Sequence, residues 1–432
     1  MTMTPAPPAV GSKAPDGQAT PLRRFVPALL ATQLGFCIAV FTPLQLLLAL
    51  RLDEMAGDGA NKAFGLVTGI GALCALLSNP IAGRASDRTR ARFGRRRTWM
   101  LTGSLALALV LTALSATTAV WQVALLWSLA QVVGNFQFAA NNAILADQIP
   151  PARRGGVSGL VGAVAAIGPL AGIGLANTFP AGGSLQWLSV AIASVGLTVL
   201  AVLLLRDPRS TAPKPPLNLR TLLGTFWFNP WRHPAFGWAW LVRFLIMATH
   251  AAVGYTTLFL MQRFDISKGD VGSVVLGISA VTLVSVAAVS VIAGYLSDRL
   301  RRQLPFVVFA GLTAALGLVL MAAADSIAAV YVASAVLGVG TGTFLAVDLA
   351  LCVRVLPSAE DAGKDLAIIN IANSLPQSLV PFAAPALLAI GGYPALFLTL
   401  AALGLLGAAA ILRVPEIGRE AAPGRAAPIT RT

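Results

Sequence analysis

Gly83-Arg84-Ala85-Ser86-Asp87-Arg88-Thr89-Arg90-Ala91-Arg92-Phe93-Gly94-Arg95-Arg96-Arg97 sets seven arginines between two long apolar runs, at about 64–83 and 98–118. A basic cluster caught between two stretches of that length is what membrane topology produces. Its core returns later as Gly294-Tyr295-Leu296-Ser297-Asp298-Arg299, at an offset of 211 residues. A loop that recurs at such a distance predicts a chain of two like halves.

Working outward, apolar runs lie at about 24–50, 64–83, 98–118, 120–147, 156–178 and 186–205, and again at about 236–262, 271–295, 304–324, 327–353, 364–390 and 393–412. About 20 apolar residues cross a bilayer as a helix, the open-chain element that satisfies its own backbone hydrogen bonds in lipid. The runs predict twelve spans. Composition agrees: 56% of the 432 residues are hydrophobic and 11% charged, with mean hydropathy +0.78. A soluble domain carries about 25% charged residues, so that class is excluded, as are collagen-like, disulfide-rich and disordered chains.

The net charge of +14 invites a nucleic-acid reading, but the basic residues sit in short clusters between spans, so no nucleic-acid partner is expected. With both termini in the cytoplasm, 26 of the 31 Lys and Arg residues fall on that side, against Arg51, Lys62, Arg263 and Lys268 opposite and Arg243 within a span. That bias obeys the positive-inside rule and favours an even span count. Residues 1–21 lack the apolar core of a signal peptide and read as a disordered cytoplasmic tail. The expected organisation is that tail, a six-helix bundle over 22–205, a Pro-rich cytoplasmic linker over 206–235, a second bundle over 236–413, and a cytoplasmic tail over 414–432. Pro150 and Pro169 recur as Pro357 and Pro376, and Asn141 falls opposite Asp348, all at an offset of 207. Two like-handed halves related by an axis along the membrane normal place a substrate site near the midplane between them.

Together these features resemble the major facilitator superfamily over about residues 22–413. The first loop resembles its Gly, Asp-Arg, Gly and basic-run motif, here Gly83, Asp87, Arg88, Gly94 and Arg95. The seven-residue step from Asp87 to Gly94 is longer than in the superfamily's multidrug exporters. With the ending Arg-Phe-Gly-Arg-Arg-Arg, it resembles the glycoside-pentoside-hexuronide cation symporters and the sucrose-transporter-like group. Asp147-Gln148-Ile149-Pro150-Pro151, followed by Arg154-Gly155, is similar to the latter. The resemblance implies an all-α polytopic membrane protein with the major facilitator fold: twelve transmembrane helices in two pseudo-symmetric six-helix bundles. It implies a gating motif at Gly83, Asp87, Arg88, Gly94, Arg95 and Asp147, with Asp298 and Arg299 as counterparts, and a cavity lined by spans one, four, seven and ten. Taken alone, Arg92 and Arg95 to Arg97 read equally as topology anchors and lipid-headgroup contacts.

Polar residues concentrate in those four spans. Span one carries Gln33 and Gln45; span four Gln131, Asn135, Asn141 and Asn142; span seven Arg243 and His250; span ten Asp348. A charge at a helix centre costs roughly 2.5–3.5 kcal/mol, so each needs a reason. Asp348 is the one acid well inside an apolar run. A desolvated carboxylate exchanges protons readily enough to serve a proton-coupled carrier. The rival role is a static ion pair with Arg243 or Arg354. His250 joins Asp348 as a coupling candidate, against the reading of a hydrogen-bonding lining residue. Asn370, Asn373 and Gln377, on one face of span eleven, bind solute hydroxyls or join helix to helix. Trp238, Trp240, Phe136 and Phe138 stack on sugars or anchor span ends.

Two features pull against sugar symport. Residues 64–82 lack the span-two acids of the sodium-coupled glycoside carriers, and Gly168-Pro169-Leu170-Ala171-Gly172 partly matches the Gly-Pro motif of antiporters. The chain holds no Gly-Lys-Ser/Thr phosphate loop. His233 and His250 are not at metal-ligand spacing, and Cys37, Cys74 and Cys352 read as small buried side chains. No cofactor, metal or enzymatic activity is expected. The sequence predicts a secondary transporter in the cytoplasmic membrane, working as a monomer on a small solute and a proton. Sugar import is the preferred reading, export of drugs or metabolites its rival, and a non-transporting sensor the least favoured.

Overall fold

The computed structural model describes residues 20–207, 234–300, 302–354 and 362–414. Among the described residues the regular structure is entirely helical. The tails and the central linker expected from the sequence lie almost wholly outside the described residues.

Helix α1 (Leu22–Thr42) runs through a π-helical turn, Pro43–Leu47, into α2 (Leu48–Ala56). Pro43 has no N–H to give to the α ladder, and the widened turn absorbs that loss. Gly57, at φ 50°, stops the helix in a conformation that favours glycine. Then follow α3 (Ala60–Arg88), α4 (Arg95–Leu114), α5 (Val120–Gln148), α6 (Pro151–Ala176) and α7 (Ser184–Leu204). Pro151 opens α6 at the first helical position, where a missing N–H costs nothing. After the linker come α8 (Pro234–His250), a 3-10 turn at Ala251–Tyr255, α9 (Thr256–Phe264), α10 (Lys268–Leu300), α11 (Leu304–Ala322), α12 (Ile327–Arg354) and α13 (Ala362–Ala410). α13 is interrupted by non-helical backbone at Gly391 and Gly392.

Among the described residues, ten helical stretches are long and apolar enough to cross a membrane. The chain is a multi-pass membrane protein. One stretch, Leu22–Arg88, contains 67 residues, roughly 100 Å at 1.5 Å per residue, against a hydrocarbon core of about 30 Å. It breaks at Gly57.

The helices divide into two compact units. The first comprises Met1–Leu222, Val253–Ala280 and Gln377–Ala389; the second Leu223–Ala252, Val281–Pro376 and Ile390–Thr432. In the first, α1 packs on α5, α6 and α7, and α5 also packs on α3 and α4. Its core includes Phe25, Leu29, Met100, Ile144 and Leu205. In the second, α11 lies along α12, and Phe236, Val242, Ile246, Phe344 and Ile368 form the core. Small residues allow the close approaches that lipid-soluble helices need: a Cβ on Gly340 would stand 2.6 Å from the backbone nitrogen of Ala314. Large apolar side chains such as Leu77, Leu109, Leu203, Val291 and Ile390 face outward, as a hydrocarbon solvent demands.

Candidate functional site

The basic loop becomes a built structure around Arg96. The loop leaves α3 in extended backbone at Thr89 and turns at Gly94 (φ 97°), which starts α4. The Thr98 hydroxyl donates to the Gly94 carbonyl (2.7 Å), and Trp99 Nε1 donates to Thr89 Oγ1 (2.7 Å), so the first turn of α4 holds the loop. This directs Arg96 inward, where its side chain is 5% exposed. Its guanidinium meets Asp87 at 2.6 Å, donates from Nε to Asp147 at 2.9 Å, and donates to Ser86 Oγ at 2.8 Å. Arg95 reaches the same Asp147 oxygen at 2.8 Å. Charge-assisted bonds to a planar guanidinium fix both distance and direction. The resemblance implies a motif arginine at Arg95; the centre of the cluster is its neighbour Arg96. Arg88 is half-buried and Arg299 exposed, and Gly83 has open space where a side chain would lie. The side chain of Asp298 lies outside the described residues.

Deeper in the first unit, Gln33 and Asn141 are 4% and 1% exposed. Asn141 Nδ2 donates to Gln33 Oε1 at 3.5 Å, Thr32 donates to Asn141 Oδ1 at 3.2 Å, and Gln33 Nε2 donates to Cys37 Sγ at 3.6 Å. These residues lie on the facing sides of α1 and α5. Asn135 is buried and donates to the Gln131 carbonyl of its own helix, whereas Asn142 is exposed. The aromatic candidates pair with other rings or cations: Phe138 on Phe36, Phe136 on Trp99, Trp240 on Phe244, and Arg413 over Trp238.

In the second unit, Arg243 of α8 and Asp348 of α12 form an ion pair, with side chains 16% and 7% exposed. His250, two turns beyond Arg243, has Nδ1 3.3 Å from its own helix's Ile246 carbonyl. Among the described residues the buried Nε2 has no hydrogen-bond partner. Asn373 is half-buried; the side chain of Asn370 lies outside the described residues.

A further set of contacts, absent from the sequence reading, lies at the opposite end of α3 from Asp87. Lys268 pairs with Asp53 at 3.1 Å, and Asn61 Nδ2 donates to Gln262 Oε1 at 2.7 Å. The Thr257 hydroxyl donates to the carbonyl of Gln45, inside the π-helical turn. Tyr255 donates to the Pro381 carbonyl at 3.3 Å and packs edge-on against Phe64. All belong to the first unit, which joins 253–280 and 377–389 to α2 and α3. The only sequence signal was Arg51, Lys62, Arg263 and Lys268 as minority charges, and no spacing rule pairs Lys268 with Asp53.

The sequence model of the Major Facilitator Superfamily matches residues 25–359 and, in a second overlapping match, 278–431. Among curated proteins the chain is similar to an uncharacterized symporter of Synechocystis, 40% identical over 89 residues, covering 21% of this chain and 14% of the symporter. It is also similar to multidrug resistance protein MdtG of Dickeya zeae, 32% identical over 151 residues, covering 33% of this chain and 36% of that protein. The matches thus span about a seventh and about a third of these relatives. Among solved structures, the nucleoside transporter NupG aligns at TM-score 0.73 with 14% identity, over 90% of this chain and 99% of that one. The peptide transporter POT aligns at 0.70 with 13% identity, over 91% and 95%. The human organic anion transporter MFSD10 aligns at 0.64 with 18% identity, over 90% and 99%. At these identities the alignments show the fold alone.

Proposed function

This chain belongs to the Major Facilitator Superfamily, and on that premise we propose that it is a proton-coupled secondary transporter of a small polar solute, of the sugar or glycoside class. The superfamily consists of transporters, not enzymes. In this reading the chain crosses the cytoplasmic membrane twelve times, with both termini inside, and works as a monomer by alternating access. The breaks at Gly57 and at Gly391–Gly392 support that count, because each divides a stretch too long for one crossing.

The observation that carries the reading is the Arg243–Asp348 pair. A proton taken up on the Asp348 carboxylate cancels the charge that holds Arg243, and the freed guanidinium becomes a donor to solute oxygens. Release of the solute returns Arg243 to Asp348 and expels the proton. Each ligand thereby favours the state the other prepares, which is the coupling a symporter requires. Taken by itself, the first unit supplies neutral amides suited to hydroxyls at Gln33, Asn141 and Asn135, with Gln45 and Asn142 as further candidates; the second supplies Asn373 and, as its second titratable group, His250. The Asp87–Arg96–Asp147 cluster serves as the gate that forms and parts during the cycle.

Export has its own support. The match to a multidrug resistance protein points that way, as does the tight seating of the antiporter-like glycines: a Cβ on Gly168 would collide with Cys37, and one on Gly172 with Thr42. Proteoliposomes holding the purified chain and an internal pH dye separate the readings. Internal acidification when mono- or disaccharides are added outside supports symport. Silence with sugars, but alkalinisation of an acidic lumen by a cationic drug, supports export.

A further inference from the structure

We propose that Asp207 is a positioning residue of the gating cluster: it fixes the first turn of α4, and with it the Arg96 guanidinium, tying the start of the central linker to the motif loop. The proposal rests on reading that loop as a gate.

A helix leaves its first N–H groups without partners, and a side chain at the residue just before the helix usually takes one. Here that residue is Gly94, which has no side chain to offer. The acceptor comes from far along the chain. Asp207 Oδ2 accepts from the backbone nitrogen of Arg96 at 2.6 Å and from that of Arg97 at 3.0 Å. Gly94 is the complement of this arrangement, because a Cβ there would run into both the carboxylate and the backbone oxygen of Asp207.

The backbone just before Asp207 is itself held in place. The Arg206 N–H donates to Thr20 Oγ1 at 2.7 Å, and the Arg206 carbonyl accepts from Gln148 Nε2 at 2.6 Å and from the Thr20 hydroxyl at 3.2 Å. Thr20 N donates to Gln148 Oε1 at 3.1 Å. Gln148 follows Asp147, whose carboxylate binds the Arg96 side chain. The circuit closes: Asp147 holds the guanidinium of Arg96, Gln148 holds the peptide before Asp207, and Asp207 holds the backbone of Arg96. Displacement of the linker's first residues therefore loosens the turn that carries the guanidinium.

The test reads the position of Arg96 without any solute, so its failure leaves the transport reading standing, and the reverse. Ser86 is fully buried beneath Arg96. In the full chain with Cys37, Cys74 and Cys352 replaced by alanine, Ser86→Cys reports that cover through its rate of alkylation by N-ethylmaleimide. Slow labelling is expected with Asp207 present and with Asp207→Asn, whose amide oxygen caps equally well. Asp207→Ala should label about tenfold faster, the factor that loss of a helix cap implies. Gly94→Ala, which displaces the carboxylate without removing it, should do the same and serves if Asp207→Ala does not fold. In an Arg96→Ala background labelling is fast already, and Asp207→Ala should add nothing. Slow labelling in Asp207→Ala and in Gly94→Ala, or a full additional acceleration in the Arg96→Ala background, overturns the proposal.

Discussion

Arg243 and Asp348 stand 105 positions apart in the sequence and meet as an ion pair whose carboxylate side chain is only 7% exposed. Taking two charges out of water can cost more than their mutual attraction returns. The pair is thus weak evidence of stability and better understood as a device kept for another purpose.

Stability and coupling should separate at this pair. Removing one partner strands a buried charge, so Asp348→Leu or Arg243→Met alone is expected to cost about 3–5 kcal/mol. The double variant should recover most of that loss while moving no protons. Thermal unfolding in detergent, run as a double-mutant cycle, reads the first part. Additive losses would mean that the two side chains do not depend on each other.

At the Asp87–Arg96–Asp147 cluster, Arg96→Lys keeps the charge and loses the geometry. One ammonium cannot serve Asp87, Asp147 and Ser86 together as the guanidinium does. Bonds to charged groups are worth about 1.5–3 kcal/mol each, and a loss in that range should appear in unfolding measurements. Asp87→Asn should be milder. The Asp87 side chain is 44% exposed, and exposed ion pairs contribute about 0.2–1 kcal/mol.

Two glycines of α3 offer a graded test of the contacts at its other end. A Cβ on Gly65 would stand 2.5 Å from the Pro381 carbonyl oxygen and 2.7 Å from Pro385 Cγ, neither of which can rotate away. A Cβ on Gly69 would meet the Phe382 ring at 2.9 Å, and that side chain can swing. Gly65→Ala should therefore destabilise by about 1–3 kcal/mol, the usual cost of overpacking, and Gly69→Ala by clearly less. Equal losses would mean that the backbone around 381–385 yields as easily as a ring.

Asp207 lies in the segment after α7, and burial pushes its carboxyl above the ordinary aspartate range, against the Arg97 and Arg96 N–H groups and the charges of Arg95 and Arg96, which pull it down. The folded chain therefore holds this proton more tightly than the unfolded chain. That contribution to stability is complete below the unfolded value and is lost as pH rises through the folded one. Asp207→Asn carries no such charge. Its melting temperature should equal or exceed that of the parent at pH 7, and the difference should shrink as pH falls toward 4. A difference that grows on acidification would show the ionised carboxylate to be the stabilising form.

The sequence made the membrane class, the basic loop and the lone intramembrane acid legible, because each rests on residue type and spacing alone. What it could not rank was direction. Arg95, Arg96 and Arg97 are equivalent as a string, and only the angle at which α4 leaves Gly94 turns Arg96 inward. Helical spacing puts Asn142, at i+7 from Asn135, on the same face as Gln131 and Asn135, whereas the buried contact to Gln33 is made by its neighbour Asn141. The pairing of Arg243 with Asp348 was one of two roles open to that acid. Asp207 and the Asp53–Lys268 contact carried no local signal, since their partners lie 111 and 215 positions away.

Proton movement by the Asp348→Asn variant tests the central claim most directly. Purified parent and variant would be sealed into vesicles with an internal pH dye and given, on the outside, a sugar to which the parent responds. The parent should acidify the lumen as the sugar enters, and the variant should admit labelled sugar down its gradient with no pH change. Equal acidification by parent and variant would contradict the account, because the coupling proton would then travel without Asp348.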